Sequence, residues 1–292
     1  MKTDFNCIPC ILQQTIETVQ IVSDDQKIRQ KTINEVLKYL QKVDYSDPPP
    51  LLGKHIYDII YRVTGNNDPY REIKHKINHL ALSLYDDLRK IVFQNPEPIL
   101  TAAKLAVAGN IIDFDNEDDE IHLRRIIERI HDLNFEINHI DKFIKDILKS
   151  KKVLYLADNA GEIVFDRLFI EMLQRYYPER SLDFTVIVRG APIINDATLE
   201  DAKMIGLDRI ARVIDNGDYA PAMVLSDISK QARAEYEKAD LVISKGQGNY
   251  ETLDTESRLI YYLLKIKCPV ISKVINAQIG NLVFKRNENY KD

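Results

Sequence analysis

Apolar residues recur at three- and four-residue intervals through the first half of the chain, the spacing that lines one face of a helix. Ile33, Val36, Leu37 and Leu40 form one such stripe, and Ile56, Ile59, Ile60 and Val63 a second. Ile73, Ile77, Leu80, Leu84 and Leu88 make a longer one. Leu123, Ile126, Ile127 and Ile130 follow, then Ile140, Phe143, Ile144, Ile147 and Leu148. Breakers stand between them: Asp47-Pro48-Pro49-Pro50, Thr64-Gly65-Asn66-Asn67-Asp68-Pro69 and Asn95-Pro96-Glu97-Pro98. Residues 1–150 are therefore expected to form an all-helical domain.

The pattern changes at Val153. Val153-Leu154-Tyr155-Leu156-Ala157, Phe184-Thr185-Val186-Ile187-Val188 and Asp240-Leu241-Val242-Ile243-Ser244 are short, continuous apolar runs. Pro269-Val270-Ile271-Ser272 reads the same way, and Arg212-Val213-Ile214 is a shorter example. Runs without polar alternation suit strands covered on both faces, hence a parallel sheet. A helical stripe of Ile163, Leu168, Phe169, Met172, Leu173 and Tyr176 falls between the first two. Strand–helix–strand order over residues 151–292 predicts a doubly wound α/β domain, whose ligands bind beyond the carboxyl ends of the strands.

Composition narrows the function classes. Of 292 residues, 45% are hydrophobic and 29% charged, enough apolar material for a large core. Forty Lys plus Arg against 45 Asp plus Glu leave a net charge of −5, which argues against broad nucleic-acid binding. No apolar stretch reaches the roughly 18 residues of a membrane span. Asp4 and Asn6 interrupt the place where a signal peptide would be apolar, so a cytoplasmic location is expected.

Three strand ends carry chemistry. Asp158-Asn159-Ala160-Gly161-Glu162 follows the first strand and Arg189-Gly190-Ala191-Pro192-Ile193-Ile194-Asn195-Asp196-Ala197 the second. Lys245-Gly246-Gln247-Gly248-Asn249-Tyr250-Glu251 follows the strand ending at Ser244. Asp158, Asn159 and Asp196 are hard oxygen donors suited to Mg²⁺ or Mn²⁺, and Lys245 supplies a point charge for a phosphate. The same Asp-Asn and Asn-Asp pairs also serve as helix caps and turn formers, a reading that spacing alone leaves open.

Together these segments resemble the DUF89 family of metal-dependent damage-control phosphatases, most closely its archaeal and bacterial subfamily. Ala108-Gly109-Asn110-Ile111-Ile112-Asp113 and the amino-terminal Cys7-Ile8-Pro9-Cys10 also match family motifs, so the likeness runs from residue 7 to about 273. The resemblance implies a helical N-terminal domain packed on a Rossmann-like three-layer α/β/α domain with a mostly parallel sheet. It implies a divalent-metal-dependent hydrolase acting on small phosphorylated metabolites, with one Mg, Mn, Co or Ni ion on Asp158, Asn159 and Asp196. Lys245, Gly246 and Asn249 match the substrate-binding segment and Lys267 aligns with a further phosphate-contacting lysine; Asn110 either follows a helix ending at Gly109 or is lent by the helical domain to the pocket wall, the reading that the family match favours.

The resulting expectation is phosphomonoester hydrolysis with Asp158, Asp196 and Lys245 as catalytic residues. Glu162 or Asp196 would orient the attacking water, and backbone amides near Gly161 and Gly246 would steady the transition state. Direct attack by Asp158 is chemically open. Two other classes compete: a phosphometabolite-binding module without catalysis, and an S-adenosylmethionine-dependent carboxyl methyltransferase, although the early glycine-rich loop that usually holds a methyl donor is absent.

Remaining features carry less. Cys7 and Cys10 have the spacing of half a zinc site or a redox pair, but no second CxxC follows, and a structural role is expected. The acidic run from Asp113 to Glu120 lacks the ligand alternation and central glycine of an EF-hand. The six histidines, including His75 and His79 on one helix face, fall in the helical half without a metal motif. Gly246-Gln247-Gly248 is no dinucleotide fingerprint.

Overall fold

A computed structural model describes residues 1–109, 130 and 132–291. The helical half opens with α1 (Cys7–Val22), α2 (Gln26–Leu40), α3 (Pro49–Thr64), α4 (Arg71–Ser83), α5 (Tyr85–Gln94) and α6 (Pro98–Ala108). The α/β half runs β1 (Phe135–Asn138), α7 (Ile140–Ile147), β2 (Lys152–Leu156), α8 (Glu162–Tyr176), β3 (Asp183–Val188), α9 (Leu199–Met204) and β4 (Arg212–Asp215). It ends with α10 (Lys230–Lys238), β5 (Leu241–Lys245), α11 (Gly246–Leu253), β6 (Ile260–Lys265), α12 (Pro269–Ile275) and β7 (Leu282–Arg286).

Seven strands form one sheet in the order β1-β7-β6-β5-β2-β3-β4, parallel throughout except for the antiparallel β6–β7 pair. Continuous burial along β2, β3, β5 and β6 has a direct cause: alternate residues enter two cores. Val153, Tyr155, Phe184, Val186, Leu241 and Ile243 face a core shared with α5, α6, α7 and α8. Leu154, Leu156, Ile187, Val242 and Ile260 face the other, under α10, α11 and α12. The molecule is thus a three-layer α/β/α sandwich carrying extra helices, as expected. A third core, from Ile11, Val19, Val36, Leu52, Ile56, Tyr57 and Ile60, binds α1, α2 and α3 to one another. Among the described residues no helix is long and apolar enough to cross a membrane.

Four expectations change. Pro269–Ile275 is a helix, not a strand, because Pro269 pre-sets φ in its first turn and the Cys268 side chain caps it. The long stripe from Ile73 to Leu88 is broken at Leu84 into α4 and α5. Residues 1–150 are not wholly helical: β1 pairs with β7 and joins the sheet, a four-residue strand too short to stand out in the pattern. β6 and β7 add two strands beyond those expected from the apolar runs. The stripe at 123–127, Asn110, Asp113 and the acidic run, His122 and His131 lie outside the described residues.

From β2 the chain moves outward through β3 to β4, then returns to lay β5 on the other side of β2. The crevice between β2 and β5 is therefore the topological switch point, where ligands bind in open α/β sheets. Asp158 and Gly246 stand at its two lips.

Candidate active site

Beyond β3 the chain folds back alongside the end of β2. Arg189 N–H donates to Ala197 O at 2.9 Å, Ala197 N–H to Asp158 O at 2.8 Å, and Ala160 N–H to Asn195 O at 2.9 Å. These bonds make Asn159 and Asp196 an isolated antiparallel bridge and bring the second carboxylate beside the first. Ile194 reaches φ +46° within this loop, an uncommon conformation for a β-branched residue and a local strain next to Asp196. The capping alternative goes to neighbours: Gly161 is the N-cap of α8, and Thr198 forms a capping box with Asp201 at α9.

Asp158, Asn159 and Asp196 are all buried. Asn159 Nδ2 donates to Asp158 Oδ2 at 3.1 Å and to Glu162 Oε2 at 3.3 Å. Burial, reinforced by the charge of Asp158, pushes the Asp196 carboxyl up to about 7 against the pull of Arg189. Gly246 packs directly on this group. A Cβ there would lie 2.1 Å from Asp158 Oδ2, and φ is +77°, so only glycine closes the second lip.

Lys245 turns the other way. Its ammonium is fully enclosed and donates to Ala106 O at 2.6 Å, Glu162 Oε1 at 2.5 Å and Asp166 Oδ1 at 2.6 Å. Those bonds take up all three donors of a lysine. Asp166 Oδ1 also accepts from Tyr155 Oη at 2.6 Å. Burial drives the Glu162 carboxyl up to about 8 and raises Asp166, while the two carboxylates raise Lys245 against the effect of its burial. The structure thus places Lys245 behind Glu162, holding it, with no arm toward Asp158 or Asp196.

Other expected residues are framework here. Asn249 Oδ1 accepts from Met223 N–H at 2.7 Å, and its Nδ2 donates to Lys245 O at 2.8 Å. Gly161 N–H donates to Asn78 Oδ1 at 2.7 Å, an anchor from α4. Lys267 is exposed and lines a cavity beside α11, its N–H donating to Gln247 Oε1 at 2.6 Å. Asp158, Asn159, Glu162, Asp196 and Gly246 come together, and Asn110 lies outside the described residues.

Arg189 completes the site without having been singled out. It is 2% exposed; Nε donates to Asp196 Oδ2 at 2.6 Å and Nη1 to Asn249 Oδ1 at 3.4 Å. Nη2 lies 3.7 Å from Asp158 Oδ1 and has no hydrogen-bond partner. The available signal was an arginine at the end of a buried strand run, followed at once by glycine.

The donors suit a hard divalent cation: two carboxylates and an amide oxygen, held near each other with a buried guanidinium bearing part of their charge. They are not a cage of three acidic, histidine or cysteine side chains, and the described residues contain no such cage. The model of the damage-control phosphatase ARMT1-like domain matches residues 3–283. The chain belongs to that family. It is 32% identical to a damage-control phosphatase of Pyrococcus horikoshii, covering 99% of both chains. It is 33% identical to a damage-control phosphatase of Archaeoglobus fulgidus, over 98% of this chain and 99% of the other. The crystal structure of a DUF89 family protein from Pyrococcus horikoshii superimposes with a TM-score of 0.91 at 31% identity, covering 99% of this chain and all of that one.

Proposed function

We propose that this family member is a divalent-cation-dependent phosphatase hydrolysing small phosphomonoesters, sugar phosphates or damaged phosphometabolites. One observation carries the reading: Asp158 and Asp196 are held buried beside the Asn159 amide, at the switch point of the sheet. Family membership supports the phosphatase class. Asp158, Asn159 and Asp196 would hold one Mg²⁺, Mn²⁺, Co²⁺ or Ni²⁺ ion, which when bound offsets phosphate charge and acidifies water.

The chain's own residues do the rest. Arg189 fixes Asp196 through Nε and offers Nη2 to a phosphoryl oxygen, a charge-assisted bond that strengthens as the transition state forms. Burial raises the proton affinity of Glu162, which in its ionised form would take a proton from the attacking water. Lys245 and Asn159 hold the two Glu162 oxygens, so the base keeps one orientation.

Phosphate release from a panel of sugar phosphates, measured after chelation and again with each metal restored, tests the reading. Release that requires metal and vanishes in Asp158→Ala, with the fold intact by circular dichroism, is expected. Metal-independent release, or turnover retained in that variant, overturns it. Ligand binding without turnover would indicate a binding module, and S-adenosylmethionine binding without phosphate release a methyltransferase.

A further inference from the structure

The helical half is built as two bodies. Ala81 of α4 and the inward faces of α5 and α6 lie in the core shared with the sheet. α1, α2 and α3 have a core of their own, and among its buried members only Ile193 comes from beyond residue 64. The chain leaves α3 through Gly65-Asn66-Asn67-Asp68-Pro69, where Gly65 takes φ +74° and nothing lies within 4 Å of where its Cβ would be. A cavity of about 290 Å³ lies between α1 and α3 on one side and α11 and the first turn of α12 on the other. Hydrogen bonds cross this seam. Tyr61 Oη donates to Pro192 O at 3.0 Å, Tyr219 Oη donates to Asp58 Oδ1 at 2.6 Å, and the Thr18 and Tyr70 hydroxyls are 2.9 Å apart. Met1 lies against the core under α10, α11 and α12, and its ammonium donates to Asp254 Oδ1 at 2.7 Å. Such a seam is looser than the continuous core that holds α5 and α6.

The site is shut in this arrangement. Asp158 is 9% exposed, Asn159 8%, Asp196 3% and Arg189 2%, so a phosphomonoester reaches them only after something moves. α5 and α6 cannot supply that movement without exposing the shared core, whereas α1–α3 can. α3 also sits on both loops that frame the site. Pro192 and Ile193, which it holds, belong to the loop carrying Asp196. Lys54 Nζ donates to Asp218 Oδ1, and to Asp227 Oδ2 at 3.2 Å. Asp218 O accepts at 2.7 Å from the N–H of Gly190, the residue after Arg189. Ile194, at φ +46° and packed against the α1–α3 core, keeps its strained conformation only while its surroundings impose it.

We propose that α1–α3 form a cap that swings on the turn at residues 65–69, opening the crevice to a phosphomonoester and closing to assemble the buried site, with Lys54 as its latch. The proposal rests on the phosphatase reading of that crevice. Opening frees Ile194 to relax, and with it the loop that holds Asp196 beside Asp158. Closing restores the loop, expels water and aligns Asp196 and Arg189 around the phosphoryl group. Lys54 suits a latch because its partner Asp227 is 33% exposed, so water replaces that bond readily as the cap lifts.

Thiol labelling of the full chain, with Cys7, Cys10 and Cys268 replaced by serine, reads this motion without any turnover. Ile193→Cys, at a fully buried position under the cap, should react with N-ethylmaleimide. Lys54→Met should speed that reaction by about threefold, the effect of losing a partly exposed ion pair. Ala102→Cys, equally buried but in the core shared with the sheet, should stay unreacted over the same time. Equal reaction at the two positions means global unfolding and overturns the proposal, as does a rate at Ile193→Cys that Lys54→Met leaves unchanged. Should Lys54→Met fail to fold, Tyr61→Phe, which loses one hydroxyl bond across the seam, takes its place. A lock tests the link to turnover. A Cβ at Gly53 would lie 3.4 Å from Pro221 Cγ, so Gly53→Cys and Pro221→Cys can be bridged across the seam. Oxidised, that chain should lose about tenfold or more of its metal-dependent phosphate release and regain it on reduction. Release unchanged by a verified disulfide overturns the proposal. No release in either form counts against the phosphatase reading alone, and the labelling rates then decide whether the cap moves.

Discussion

Gly246 has the least freedom of any residue in the site. Alanine would drive a methyl into the Asp158 carboxylate, 2.1 Å from Oδ2, and would hold a non-glycine residue at φ +77°. Gly246→Ala should therefore cost about 1–3 kcal/mol in denaturant unfolding. Displacing Asp158 should also lower phosphate release by roughly 100-fold, because catalytic groups tolerate little misplacement. Lys245 makes the contrasting case. Lys245→Met removes one ammonium and leaves Glu162 and Asp166 buried without their partner, which should cost about 3–5 kcal/mol. A Lys245→Met chain as stable as wild type by thermal melting would contradict that account. Asp158, Asn159, Asp196 and Lys245 were singled out from the sequence as polar residues beyond the ends of strand-like runs, a spacing that also left helix capping open. The orientation of Lys245 was not legible, since its partners Glu162, Asp166 and Ala106 lie 79 to 139 residues away along the chain.

Elements position these residues in pairs. α4 reaches the site through Asn78, which accepts from Gly161 N–H and donates to Asp201 Oδ1 at 2.8 Å, joining the N-termini of α8 and α9. Asn78 is completely buried, so Asn78→Ala strands both partners and should lose about 1–3 kcal/mol. Its unfolding midpoint in urea should fall with an unchanged slope, whereas a changed slope would mean that α4 detaches as a unit. Strands buried on both faces were readable from continuous apolar runs, as with β2, β3 and β5. Pro269–Ile275 was not, because three apolar or small residues after a proline suit a strand or a first helical turn equally. The insertion of β1 beside β7 depends on pairing across roughly 147 residues, which no local pattern records.

At the scale of the whole molecule, one apolar core joins residues from Ala81 to Phe284, so α5 and α6 are continuous with the α/β layers. These helices cannot open without exposing that core, which favours a cooperative link between the global fold and the site. Asp196 makes this link measurable. Its carboxyl sits near 7 in the folded chain against an ordinary 3.8, so between those values the native state holds a proton that the unfolded state has released. Stability from this group is present at low pH and is lost as pH rises through that window. A divalent cation on Asp158, Asn159 and Asp196 requires the ionised form, so below about pH 7 it must displace the proton. Its stabilising effect should then weaken by about 1.4 kcal/mol for each unit of further acidification. Thermal melts with and without Mg²⁺ should show a wide separation near pH 8 and a narrow one near pH 6. Asp158→Ala should remove the separation at both. A separation independent of pH would mean that the cation binds away from Asp196, and the site would have to be redrawn around other oxygens.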